Sequence, residues 1–96
     1  MPSKAEAEKK HAIRRARERY RLALTDEDYT YLVNCIRKQG QKNRQRMPVE
    51  LVERQSNRVS LYDIIFPTVV LRTVYDHARG RIVTFLPPYS TDVSLS

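Results

Sequence analysis

Residues 59–86, VSLYDIIFPTVVLRTVYDHARGRIVTFL, decide the fold of this 96-residue chain. The stretch contains three short runs rich in Val, Ile, Leu, Thr and Tyr, which are residues that strands favour. Pro67 lies between the first and the second of these runs. The loop from Asp76 to Gly80 has the composition of a hairpin turn with glycine at a positive φ. Short loops between successive strands predict an antiparallel meander.

A fourth strand precedes these three. Residues 49–55 have the same composition, and Ser56-Asn57 is a plausible tight turn into the next run. The sequence therefore predicts four strands, over residues 49–55, 59–66, 68–75 and 81–86.

Two helices are predicted upstream of the strands. Residues 4–22 contain no Gly or Pro and place Ala12, Ala16 and Tyr20 along one side. Thr25 with Asp28 forms a capping-box variant that opens a second helix, which should end near residue 39, before Gly40. The predicted class is α+β, with both helices on one face of the sheet and the other face partly open. We expect residues 1–88 to form one domain and residues 89–96 a flexible tail.

The charge of the chain points to polyanions. The net charge is +7, and 13 of the 18 bases are Arg, whose planar fork suits bidentate phosphate contacts. Residues 1–23 carry eight bases against three acids, and residues 41–60 carry five against two. A scattered surplus would indicate a solubilising surface, whereas clustering favours nucleic acid.

The same sequence predicts a cytoplasmic protein with no membrane partner. Its single cysteine, Cys35, cannot form an internal disulfide and is expected on a buried helix face. No apolar run approaches the roughly 20 residues that cross a bilayer. The two histidines lie far from each other and from Cys35, and no glycine-rich phosphate loop occurs, so neither a metal nor another cofactor is expected.

His11, Arg15 and Arg19 are spaced four residues apart, so they share a face of the first helix at the border of its packed side. An imidazole beside guanidinium groups can move a proton while Arg stabilises charge on a phosphate, as RNA cleavage without metal requires. Alternatively, His11 is one polar residue on a charged helix, and spacing alone favours that interpretation.

Further basic and aromatic residues are predicted to bind nucleic acid. Bases interleaved with rings are a common means of gripping a single strand, although about half of these aromatic residues would belong to the core. The residues predicted to bind are Arg14, Lys42, Arg44, Arg46, Arg54, Arg72, Tyr75, His77, Arg79 and Arg81.

Two segments carry a resemblance to a known family. His11-Ala12-Ile13-Arg14-Arg15, continuing to Arg19, resembles the HA-x-x-R-x-x-x-R opening of RelE-like proteins in the wider barnase, colicin-type and RelE group of small ribonucleases. Residues 71–76, LRTVYD, followed by Gly80 and residues 81–85, RIVTF, resemble the closing hairpin of that group. Together the matches cover about a third of the chain.

The resemblance implies a RelE-like fold and a metal-independent, toxin-like ribonuclease of the kind that phages or mobile elements encode. It implies His11 as acid and base, Arg15 and Arg19 on phosphate, and Thr84 near the scissile group. A protein inhibitor would be a further partner. The chain departs from the family pattern at residues 20–28 and in its long 40–48 connector, which keeps an inactive relative as an alternative.

Two other interpretations stay open. The chain is a non-catalytic, phage-type interaction protein whose basic face binds nucleic acid or an acidic host protein, or it is a homo-oligomer. A thin core favours self-association, through a sheet edge or through the apolar residues 64–66.

Overall fold

The computed structural model describes residues 3–38 and 49–93. Two helices precede four strands, which confirms the predicted α+β class. The elements are α1 (Lys4–Tyr20), α2 (Asp26–Arg37), β1 (Val49–Arg54), β2 (Val59–Ile65), β3 (Val70–Asp76) and β4 (Arg81–Phe85).

The first helix ends at Tyr20, two residues earlier than predicted. Arg21 adopts the left-handed conformation, with φ 55°. The N–H groups of Arg21 and Leu22 donate to the carbonyls of Arg17 and Ala16, which satisfies the last turn of the helix. The chain therefore turns sharply away from α1 without a glycine.

The capping box of α2 forms as predicted. Thr25 Oγ1 accepts from the N–H of Asp28, and Asp28 Oδ2 accepts from the N–H of Thr25. The acidic side chains in the first turn of α2 also interact favourably with the positive end of the helix dipole. The helix ends at Arg37, two residues before the predicted end near residue 39, and Gly40 lies outside the described residues.

The sheet has the order β1-β2-β3-β4, and all neighbouring strands are antiparallel, so the meander is confirmed. Phe66 N–H donates to Val69 O and closes the β2–β3 hairpin around Pro67-Thr68. Gly80 has φ 66° in the β3–β4 hairpin, as expected. A side chain at Gly80 would also crowd the guanidinium of Arg37.

Both helices pack on one face of the sheet and form the larger core cluster. Ala12 and Ala16 are fully buried, so α1 approaches the sheet closely. The cluster is completed by buried residues of α2 and of three strands: Tyr29, Leu32, Val33, Ile36, Tyr62, Ile64, Leu71, Tyr75, Ile82 and Phe85.

The opposite face is less open than predicted. It carries a second apolar cluster of Leu61, Val74 and Leu86, against which Val93 packs. The carbonyl of Ser90 also accepts from Arg72 Nη1 at 2.9 Å. The segment predicted to be a flexible tail therefore contacts the sheet as far as residue 93, because one apolar side chain and one carbonyl attach it.

Two smaller expectations are corrected. Ile64 is fully buried, so residues 64–66 do not form an exposed apolar patch; the exposed large apolar side chains in the sheet are instead Leu51 and Val52 of the edge strand β1. Cys35 is half-buried. Neither described helix has the length and apolar character that crossing a bilayer would require.

Candidate nucleic-acid interface

The solvent face of α1 carries a continuous row of bases. Lys10, Arg14, Arg17 and Arg21 are spaced by four, three and four residues, which keeps them within a narrow stripe opposite Ala12 and Ala16. All four are exposed, and none forms a salt bridge with another described residue. We call these four residues the basic ridge. At 1.5 Å per residue it is about 16 Å long.

The predicted His11, Arg15 and Arg19 row lies beside the ridge, at the border with the sheet. His11 is half-buried. Its pKa is lowered, first by burial and then by the positive charges of Arg15, Arg14 and Arg19. The imidazole is therefore neutral near pH 7, which is the state that accepts a proton.

Polar contacts fix α1 along the edge of β4. Near its start, Glu8 pairs with both Arg79 and Arg81. Near its end, Arg19 Nη1 donates to the carbonyl of Phe85 at 2.8 Å, and Tyr20 Oη donates to that of Leu86 at 2.5 Å. The helix and strand consequently run in the same direction, and we call their contact the α1–β4 seam.

The two elements of the seam contain buried polar atoms that have no hydrogen-bond partner among the described residues. They are Arg15 Nε, Arg81 Nη1, Thr84 Oγ1 and the second carboxylate oxygen of Glu8. Such atoms are uncommon in native proteins, because each costs free energy, and they call for an explanation.

The contacts at both ends of the seam show how α1 and β4 are aligned. Glu8 lies at Arg81 and Arg19 lies at Phe85, so the helix and the strand run side by side. Within β4, Thr84 is paired in register with Val74, which belongs to the apolar cluster on the opposite face of the sheet. The seam itself therefore joins Arg19 and Arg81 of the predicted residues through polar contacts.

The seam differs in detail from what the resemblance implies. Thr84 has no exposed surface, so its hydroxyl does not contact a ligand in this conformation. Arg19 is held by the carbonyl of Phe85. The charged groups that most lower the pKa of His11 all belong to α1, and Arg81 is not among them. Arg15 Nη1 donates to Glu18 Oε1 at 2.7 Å, so this guanidinium is paired within α1.

Among the predicted binding residues of the strands, Arg72 is corrected. Its side chain is buried and forms an ion pair with Asp63, the residue directly opposite on β2. It therefore holds two strands together and is not presented to a ligand. Arg79 and Arg81 share the carboxylate of Glu8, which partly neutralises both. Arg54 is exposed on β1.

Tyr75 and His77 do lie together, as predicted from their position near one end of the sheet. Their ring centroids are 5.2 Å apart, and Tyr62 contacts both rings edge-on. His77 Nε2 lies 2.9 Å from Ser60 Oγ. Burial raises the pKa of Tyr62 and of Tyr75, so both phenols stay protonated. Since both tyrosines are buried, His77 is the ring of this cluster that faces solvent.

Several residues of this surface were missed by the sequence interpretation. Lys10, Arg17 and Arg21 follow the spacing of an exposed helix stripe, so the pattern was present in the sequence beside the His11 row. Arg37 contacts the ring cluster from the end of α2, and its position there depends on tertiary packing. Lys42, Arg44 and Arg46 lie outside the described residues.

No group of three or more His, Cys, Asp or Glu side chains suited to a metal ion occurs within residues 3–38 and 49–93. Comparisons with protein-family models, with curated proteins and with solved structures give no match for this chain.

Proposed function

We propose that this chain binds single-stranded RNA and that the phosphates of the strand lie along the basic ridge of α1. The observation that carries the proposal is the ridge itself: four exposed bases, none of which forms an ion pair with a described residue, since the neighbouring Glu18 pairs with Arg15. Elsewhere many bases are paired with acids, as Arg58 is with Asp76 and Arg72 with Asp63. Among the described residues, the ridge therefore gathers four bases that form no ion pair on one helix face.

Phosphate contacts explain why such a face favours a nucleic acid over a generally acidic surface. A guanidinium binds phosphate oxygens in a bidentate manner, and three of the four ridge residues are Arg. Each phosphate that is neutralised releases counterions, so affinity depends steeply on salt. An acidic protein partner would present fewer charges at a less regular spacing.

The test compares two double variants that remove the same charge. Arg14→Ala/Arg17→Ala truncates the ridge, whereas Lys4→Ala/Lys38→Ala removes two exposed bases that lie outside it. Fluorescence anisotropy with a labelled single-stranded RNA, measured over a range of salt concentrations, gives the affinity and its salt dependence.

The ridge variant should bind about tenfold more weakly or worse, and the slope of log affinity against log salt should fall in magnitude by about 1.4. The control variant should bind as the parent does. Equal losses in the two variants would show diffuse attraction in place of a defined site. Absence of salt-dependent binding by the parent would refute the proposal.

RNA cleavage at the α1–β4 seam is a second candidate function. It is favoured by the neutral imidazole of His11, whose pKa is lowered by burial and by nearby Arg15, together with the family resemblance. His11 would take the proton of a ribose 2′-hydroxyl as its oxygen bonds to phosphorus, and the protonated imidazole would give that proton to the 5′-oxygen as its bond to phosphorus breaks. Arg15 would stabilise the charge on the phosphorane.

Cleavage is tested with RNA and with the matching 2′-deoxy oligonucleotide, both in the presence of a chelator. The parent should cut only the RNA, and His11→Ala and Arg15→Ala should each reduce the rate by at least a hundredfold. A rate that is unchanged in both variants would exclude this mechanism.

A further inference from the structure

A cavity of about 380 Å³ lies where the segment after α1 meets α2 and the end of β2. Its size is within the range of small-molecule sites and leaves ample room for one nucleobase. The residues that define its character are Arg21, Leu22, Leu24, Asp28, Tyr31 and Phe66.

The lining combines apolar walls, two rings and two charged groups. Leucine side chains and the rings of Tyr31 and Phe66 suit the flat apolar faces of a base. Asp28 uses one carboxylate oxygen to cap α2, and a carboxylate has further acceptor capacity for the amino group of a base. Tyr31 is 39% exposed, so its ring borders the mouth of the cavity.

The cavity is continuous with the basic ridge because Arg21 belongs to both. Arg21 has a positive φ at a position where glycine usually ends a helix. The left-handed conformation is unfavourable for a residue with a Cβ atom, and strain of this kind clusters at functional sites. Arg21 thus joins the row of bases to the lining of the cavity.

We propose that the cavity binds one unstacked base of an RNA strand whose phosphates lie along the ridge, with Arg21 at the junction. The inference rests on the proposed RNA binding and adds a base-specific contact to it. Single-stranded RNA is commonly recognised in this way, since its bases can swing out and stack on aromatic side chains. Phosphate contacts alone would not distinguish a strand that has this base from a strand that lacks it.

The test uses two oligonucleotides of equal length, one complete and one with abasic spacers at its central positions. Tyr31→Ala removes a ring at the mouth of the cavity, and Ala23→Leu narrows the cavity from another side. Tyr89→Ala is the matched control, because Tyr89 is 84% exposed and does not line the cavity. Circular dichroism checks that each variant is folded.

The parent should bind the complete strand about tenfold more tightly than the abasic one. Tyr31→Ala and Ala23→Leu should each remove most of that difference and leave the affinity for the abasic strand unchanged, while Tyr89→Ala alters neither. Salt-dependent binding that is equal for the two strands would overturn the base site and leave the ridge intact. Failure of both strands to bind would overturn the ridge as well.

Discussion

Arg72 and Asp63 lie directly opposite each other on β3 and β2, and Arg72 Nε donates to Asp63 Oδ1 at 2.6 Å. Arg72 Nη1 also binds the carbonyl of Ser90, so one guanidinium links two strands to the C-terminal segment. Arg72 is 8% exposed. Arg72, which was expected to bind RNA, instead stabilises the fold.

Arg72→Ala should lower the free energy of unfolding by about 3 kcal/mol, because it leaves the carboxylate of Asp63 without its partner in a largely buried site. Denaturant titration followed by circular dichroism measures the change. Arg54→Ala removes an exposed base of the same sheet and should change stability by less than about 0.5 kcal/mol. Equal stability of the two variants would contradict a structural role for the pair.

Arg21→Gly should separate stability from binding. Glycine adopts the left-handed conformation without the Cβ penalty, so the free energy of unfolding should stay the same or rise by up to about 1 kcal/mol. Affinity for RNA should fall, since the ridge loses its last guanidinium. Arg21→Lys keeps the charge and the strain and is the matched control. An Arg21→Gly variant that is less stable than the parent and binds RNA with full affinity would contradict both expectations.

Thr84→Val is the corresponding test of β4. Valine has nearly the shape of threonine and removes a buried hydroxyl that lacks a partner among residues 3–38 and 49–93, so stability should rise by about 1 kcal/mol. Thr73→Val, at a fully buried hydroxyl that donates to Leu71 O, is the control and should lower stability. A destabilised Thr84→Val would show that the hydroxyl already has a partner.

The parts of the fold that were predictable depend on neighbours in sequence. The capping box joins Thr25 to Asp28, and Gly80 meets the need of its own turn for a positive φ. These are interactions over a few residues, which the sequence displays directly. The meander order followed from short loops.

The unpredicted parts depend on register and docking. Asp63 meets Arg72 only because of the β2–β3 register, and Glu8 meets Arg79 only because α1 lies along β4. Local composition contains neither fact, so bases that are neutralised by distant acids were counted as free. The basic ridge is a different case. The spacing of its residues is visible in the sequence, but the prediction was based on the row of His11 on the adjacent face of the helix.

His11 gives a test that depends on pH. Its folded pKa lies below the ordinary value of 6.5, so on acidification the unfolded chain takes up the proton first. The free energy of unfolding should therefore decrease as the pH falls through the ordinary pKa, and level off below the folded one. His11→Gln should remove this part of the acid destabilisation in thermal melts at pH 8 and pH 5.5, with His77→Gln as the control.

RNA on the ridge should act on the same imidazole in the opposite direction. Phosphates beside Arg14 and Arg15 would offset the positive charges that now lower the pKa of His11, so RNA should raise that pKa. Binding would then take up a proton and become tighter as the pH falls below about 6.5. NMR titration of the His11 ring, with and without the oligonucleotide, measures the shift. A pKa that does not respond to bound RNA would place the strand away from α1.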